Sequence, residues 1–410
     1  MREKKISVGI GFATGRKHFQ RVLRSYIYNW KESSLVDNVN VSLNLFVAYD
    51  LNYKKTKKTD YTKVSQDISD MLESKHFIGI EEVEEAKREL VDGGVIEENE
   101  ATAFFGKGYA SSRNIVMYYA IKSKMDYVLF LDDDEYPVAV TKNLDTAVWG
   151  GQHVLKTHLL NIENADITYG HHCGYISPIP FLEFSEVLPE DSFRLFIQAI
   201  SNDIVNWENI KGIMKNGGVS YANTEPLTDK KVIEVEEVNH TKFISGSNLC
   251  INLSEPNRVF PFYNPPGARG EDTFLSTCLS SRKVLRVPCY TFHDGFSSYN
   301  HLLSGVLPIK LKFIKPDSKE IIKRFYNTCI GWVRYKPLLL YITNRESYQD
   351  KINEMTQELD ETLPQICQYF DTQDFLNIAK ELKKYDKNVK KHYEDFEEYK
   401  RIWSKIMGIF

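Results

Sequence analysis

What this 410-residue chain lacks narrows it first. It has six cysteines, at 173, 250, 278, 289, 329 and 367, and no two of them form a C-x-x-C pair. That is too sparse for a disulfide framework or a structural zinc site. No window holds about 18 uninterrupted apolar residues, so no membrane-spanning helix is expected. The polar start, residues 1–5, runs straight into apolar residues 6–10, a stretch too short and too interrupted for a secretory signal. Charge of one sign is also scarce. Against 56 Asp and Glu stand 52 Lys and Arg, a net −4, which argues against a nucleic-acid binder. Together these absences set the expectation of a reduced, soluble, cytoplasmic protein. The rest of the composition, 42% hydrophobic and 13% aromatic, suits one large domain or two to three smaller ones.

The apolar pattern alternates between strand and helix. Residues 6–12 read as a buried strand ending in a turn at Thr14-Gly15-Arg16, residues 18–30 have helical spacing, and residues 41–49 read as a second strand ending at Asp50. Strand, helix, strand implies a βαβ unit and a parallel sheet. Residues 54–63 are polar and predict a loop. Residues 73–100 carry ten acids against three bases and predict a solvated helix with a loop. A loop at 106–108 leads to a helix with Ser111 or Ser112 as its cap. Residues 126–131 are a further strand, 271–281 a helix, and 284–292 a last strand interrupted by Pro288. Beyond 316 glycine almost vanishes and helical patterns dominate, so residues 306–410 are expected to form a C-terminal helical region. Residues 1–305 would be the α/β domain, divided near 137.

Four constellations could carry chemistry. Asp132-Asp133-Asp134-Glu135 closes an apolar strand. Acids are common in turns, but four in succession repel one another unless a cation or solvent relieves them. Ligands of open α/β sheets bind at the carboxyl ends of strands, and hard carboxylate oxygens there suit Mg²⁺ or Mn²⁺. Gly270-Glu271-Asp272 opens a helix, where acids either complement the dipole or supply a general base. His293 ends the last strand, either as a structural histidine or as a further metal ligand. Lys107, with Arg113 and Asn114, follows glycines that allow close backbone approach, so it belongs either to a surface loop or to a diphosphate site. His171-His172-Cys173 only superficially has metal-ligand spacing, because neighbours on a strand face opposite ways.

The order of these elements resembles the GT-A fold nucleotide-sugar glycosyltransferases, most closely glycosyltransferase family 2, over residues 5–300. The resemblance rests on 108–114 (Gly-Tyr-Ala-Ser-Ser-Arg-Asn) and 127–135 (Tyr-Val-Leu-Phe-Leu-Asp-Asp-Asp-Glu), the latter holding an Asp-x-Asp motif at Asp132 and Asp134. It implies a Rossmann-like, mixed but mostly parallel sheet. It further implies metal ligation by Asp132, Asp134 and His293, and donor contacts from Ala13, Thr14, Arg16, Asp50, Lys107, Arg113, Asp132, Asp133 and Gly246. Asp272, with Glu271, would be the acceptor-side acid pair. The cofactor would be Mn²⁺ or Mg²⁺ and the donor a UDP- or GDP-sugar. The acceptor would be a glycan, a lipid-linked molecule or a small molecule, with no nucleic acid partner. The first strand ends in Ala-Thr-Gly-Arg where the family more usually has Pro-x-Tyr-Asn, and inserts occupy 54–105 and 178–240. No Gln-x-x-Arg-Trp signature follows Asp272, so a processive synthase is not expected.

If the reaction inverts the sugar, Asp272 takes the acceptor proton; a retaining relative would not need that base. Two other classes stay open: a sugar nucleotidyltransferase, of which Gly9, Gly11, Gly15 and Arg16 are a faint echo, and a non-catalytic scaffold working through the helical tail. The tail has sixteen bases and sixteen acids. Its apolar end at 399–410 suits core packing, a second copy of the chain, or a peripheral contact with the inner face of a membrane.

Overall fold

A computed structural model describes residues 5–36, 38–201, 207–299, 302 and 306–410. The expected boundary residue 305 and the polar start at 1–4 lie outside them. The strands are β1 (Ile6–Thr14), β2 (Val41–Tyr49), β3 (Ser74–Ile78), β4 (Tyr127–Phe130), β5 (Glu135–Tyr136), β6 (Val138–Asn143), β7 (Thr146–Gly151), β8 (Ile167–Gly174), β9 (Ile233–Glu234), β10 (Leu249–Asn252) and β11 (Val284–His293). The main sheet runs β3-β2-β1-β4-β10-β8-β11-β5, with β9 beside β11; β6 and β7 form a separate hairpin. β3, β2, β1 and β4 are mutually parallel. β10 is antiparallel to both β4 and β8, and β11 runs parallel to β8. The carboxyl ends of β1, β2, β4, β8 and β11 therefore lie along one edge, and the start of β10 joins them there.

β1 and β2 are near-continuous apolar runs because both faces are covered. One cover is the helix Tyr109–Lys122, buried almost all round. It packs close because β1 presents glycine: a Cβ at Gly11 would fall 2.9 Å from Val116 and 3.2 Å from the Phe130 ring. The helix begins at Tyr109, not at the expected serine cap. Gly108, at φ 113°, makes the entry turn and its carbonyl takes the Ser112 N–H, so both serines fall inside the helix. Asn114, fully buried, exchanges hydrogen bonds of 2.9 and 2.8 Å with the backbone of Phe262, tying this helix to the approach to Glu271.

The acidic stretch 73–100 is more than a solvated helix. Its first residues add β3 to the sheet edge before the helices Ile80–Asp92 and Glu98–Phe104. The apolar run at 154–160 is the helix Val154–Leu159. Pro288 does not end β11; the pairing with β8 shifts register between Arg286 and Tyr290, where the missing proline N–H removes a ladder bond.

The C-terminal helices share cores with the rest of the chain. Phe325, on the helix Lys319–Thr343, packs on Phe193 and Phe196 of the helix Glu190–Ile200, which belongs to the 178–240 insert. In the last helix, Val389–Met407, the apolar residues Ile402, Trp403, Ile406 and Met407 are buried among residues of the 109–122 helix and the sheet. Trp403 Nε1 donates to the Val259 carbonyl at 2.8 Å, and its indole stacks on Phe104 at 5.7 Å. These side chains are therefore not available to a bilayer. Trp403→Ala should remove about 3–5 kcal/mol of stability, read as a lower urea midpoint, because it opens a cavity and orphans a carbonyl. A change under 1 kcal/mol would show that this helix is not part of the core.

Candidate active site

The acid cluster hangs on the carboxyl end of β4, between β1 and the β10 start. Asp133, Asp134 and Glu135 are 7%, 7% and 4% exposed, while the Asp132 side chain keeps 37%. Burying like charges in succession is costly, and every carboxylate here meets a basic side chain, with Arg16 shared by two of them. Asp132 takes Arg113 Nη2 at 3.0 Å. Asp133 takes the Thr14 hydroxyl and Arg16 Nη1, the latter at 2.9 Å. Asp134 shares the same Arg16 nitrogen and faces His293 Nε2 at 3.4 Å. Glu135 accepts from the Ser247 and Thr291 hydroxyls, each at 2.7 Å, and lies 3.2 Å from His172 Nδ1.

The chain's local geometry explains who meets whom. Arg16 follows the β1 end, which the Asp50 N–H pins by donating to the Thr14 carbonyl at 2.9 Å. Arg113 projects from the first turns of its helix, is 4% exposed, and lies between the Phe130 and Phe262 rings at 5.3 and 5.4 Å. Its Nε finds no hydrogen-bond partner but lies 3.6 Å from Glu271. His293 is fixed through Nδ1, 2.7 Å from the Tyr175 carbonyl. Asp272 opens the helix Glu271–Ser276; its Oδ2 accepts from the Gly246 N–H at 3.1 Å and its Oδ1 from Thr273 at 2.9 Å.

These environments push the acids apart. Burial drives Asp133 up to about 7, with Arg16 opposing and Asp134 adding. Burial also raises Asp134, but His293 and Arg16 outweigh it and hold the carboxyl well below the usual range. Glu135 is likewise raised by burial, yet held down at about 2 by His172, His293 and Ser247. Burial lowers His293, and Asp134 more than reverses this, to about 9. Asp272 is raised to about 6 by burial and by Glu271.

Of the expected residues, Thr14, Arg16, Arg113, Asp132, Asp133, Asp134, Gly246, Glu271, Asp272 and His293 come together. Ala13 lies in β1, paired with Ala48; Asp50 is exposed at the same sheet edge and caps its own turn through Asn52. Lys107 is exposed on the loop before the 109–122 helix. Among the described residues no group of three or more His, Cys, Asp and Glu converges as a metal centre. Of the expected metal trio, Asp134 and His293 face each other while Asp132 turns to Arg113. Of the two that face each other, only Asp134 offers the hard oxygen that Mg²⁺ or Mn²⁺ prefers, with His293 adding an imidazole nitrogen.

Sequence reasoning gave Ser247 no role toward Glu135, did not mark Thr291, and set His172 aside as a metal ligand; Glu135 meets all three. The strand alternation that set aside a His171-His172 pair also accounts for the outcome: His171 stacks on Tyr290 at 4.8 Å while His172 turns to Glu135. Tyr53 and Tyr109, whose rings lie 6.4 Å apart, were also missed. Tyr53 lies against Gly15, where a Cβ would meet it at 2.7 Å.

No protein-family model matches this sequence, and no curated protein matches it. Among solved structures the chain is similar to the apo form of mouse xyloside xylosyltransferase 1, at 11% identity and a TM-score of 0.20, over 47% of this chain and 58% of that one. A likeness this faint carries no argument below.

Glu135 offers a direct test of the cluster. Its folded-state pKa lies below its ordinary value of 4.5, so its stabilisation is present above pH 4.5 and is lost as pH falls toward 2. Glu135→Ala should cost about 3–5 kcal/mol at pH 7, since it strands its partners. The stability gap between wild type and Glu135→Gln should close between pH 4.5 and 2 in urea titrations. A gap independent of pH would show that Glu135 is not held as an ion.

Proposed function

We propose that the chain is a glycosyltransferase of the GT-A type, transferring a sugar from a nucleoside-diphosphate donor to an acceptor hydroxyl. One observation supports this above the others. Acids, two arginines and a histidine from β1, β4, β11 and two helices meet at the carboxyl edge of an α/β sheet, with Asp272 held opposite the cluster through Gly246. Ligands of such sheets bind at that edge.

Asp134 and His293 would hold Mn²⁺ or Mg²⁺, which when bound offsets charge on the departing diphosphate. Arg16 adds positive charge beside Asp134, and Arg113 keeps Asp132 in place through its fixed fork. Asp272 is the base. Its pKa near 6 leaves it ionised at neutral pH yet more basic than an ordinary carboxylate, so it can take the acceptor hydroxyl's proton as the bond to the sugar forms. A base on the acceptor side suits inversion. Tyr53 and Tyr109 offer aromatic surface beside Arg16 for the donor's nucleoside.

The test is a thermal-shift screen of UDP-, GDP-, CMP- and dTDP-sugars, with and without Mn²⁺. One nucleoside-diphosphate sugar should raise Tm in a Mn²⁺-dependent manner, and Asp134→Ala should remove that dependence. Asp272→Asn should bind the donor normally but turn over about 10²–10⁴-fold more slowly, and the wild-type rate should climb through about pH 6. Unchanged turnover in Asp272→Asn would sink the base assignment. Pyrophosphate release from a nucleoside triphosphate would replace glycosyl transfer with nucleotidyl transfer.

A further inference from the structure

The C-terminal helical region sends into this site a charge that the acid cluster does not use. Arg324 sits near the start of the helix Lys319–Thr343. Its Nη1 donates to the Gly295 carbonyl, and its guanidinium lies 4.2 Å from the centre of the Phe296 ring. A Cβ at Gly295 would fall 2.8 Å from Arg324 Nη2 and 2.9 Å from His293 Cε1, so guanidinium and imidazole flank the same backbone point. The adjoining loop is firmly held: Asp294 accepts the Ser298 and Tyr299 N–H groups at 2.8 Å each.

Arg16 and Arg113 hold acids, but Arg324 makes no ion pair among the described residues. It is partly buried. A second arginine without an ion pair among the described residues meets the same helix. Arg269, exposed on the loop before Gly270, lays its stem along the same helix, with Cδ 3.3 Å from where a Cβ at Gly331 would sit. Residues 324 and 331 are two turns apart on one helix face. Burial pulls the Arg324 pKa down; Asp134 opposes this, while Arg16 and Arg269 add to it. Two arginines that meet one helix, neither paired with an acid among the described residues, suit an anionic ligand. The guanidinium fork matches phosphate oxygens two at a time.

We propose that Arg324 and Arg269 bind a phosphate group, making the C-terminal helical region part of the ligand site. The role in transfer rests on the function proposed above; the binding itself does not. The phosphate is either part of the donor's diphosphate or carried by a phosphorylated acceptor. Isothermal titration of the full-length chain with inorganic pyrophosphate, UDP, GDP and glycerol 3-phosphate separates these sources. Arg324→Gln and Arg269→Gln should each weaken binding of at least one phosphate probe by about tenfold or more, as expected for a lost charge-assisted bond. Arg345→Gln, at an exposed tail arginine stacked on Tyr341, should change nothing. Loss with UDP or GDP assigns the donor, and loss confined to glycerol 3-phosphate assigns the acceptor. If Arg324→Gln does not fold, the exposed Arg269 carries the test. Wild-type affinity for every probe in the folded variants would overturn the proposal. Arginine-dependent phosphate binding without any sugar transfer would keep it and end the transferase reading; full transfer by both variants would do the reverse.

Discussion

Everything at this sheet edge depends on how four consecutive carboxylates, three of them buried, are neutralised. Taking one ion out of water costs several kcal/mol, and the cost grows when neighbours share its sign. The chain meets this with Arg113 on Asp132, Arg16 shared by Asp133 and Asp134, His293 on Asp134 and His172 on Glu135, groups that come from the end of β1, the 109–122 helix, β8 and β11, with the Ser247 hydroxyl added from the turn before β10. The cluster thus draws its surroundings together electrostatically, and the elements around it are packed so that the pairing can be satisfied.

The same arrangement divides labour among chemically identical groups. Asp133 is pushed up to about 7 while Glu135 is held at about 2, although only Asp134 separates them in the chain. Glu135, enclosed by two hydroxyls and His172, has a structural task. Asp134, buried and shared between Arg16 and His293, is the carboxylate held most firmly as an ion. Groups whose surroundings separate their titration in this way are where acid and base roles differentiate.

The helices beyond residue 316 belong to this economy of contacts. Phe325 anchors them to the 178–240 insert and Trp403 to the back of the 109–122 helix. Between those anchors the helix Lys319–Thr343 lies over the loops that carry Gly270 and Gly295: a Cβ at Gly270 would come within 3.0 Å of Tyr335, and one at Gly295 within 2.8 Å of Arg324. The loops that position Asp272 and His293 are thus backed by residues more than 30 positions downstream. A change of composition along a chain marks a change of element type, not independence of packing.

Local features were legible in the sequence. The strands at 6–14, 41–49 and 127–130 follow from continuous apolar runs, because a strand covered on both faces has no need of polar residues. The acids at 132–135 and 271–272 and the histidine at 293 declared themselves by standing where such runs stop. Less was legible where a segment's neighbours decide its state. Residues 74–78, polar enough to read as helix or loop, became β3 because β2 offered an open edge, and 154–159 became a helix although its apolar run suits either state. What only the tertiary structure decided is the pairing of charges: Arg16 with Asp133 and Asp134, Arg113 with Asp132, His172 with Glu135, and Arg324 with no acid among the described residues. Those partners lie from 19 to more than 100 positions apart. Electrostatic attraction depends on distance in space, and only the closed sheet with its helices sets that distance.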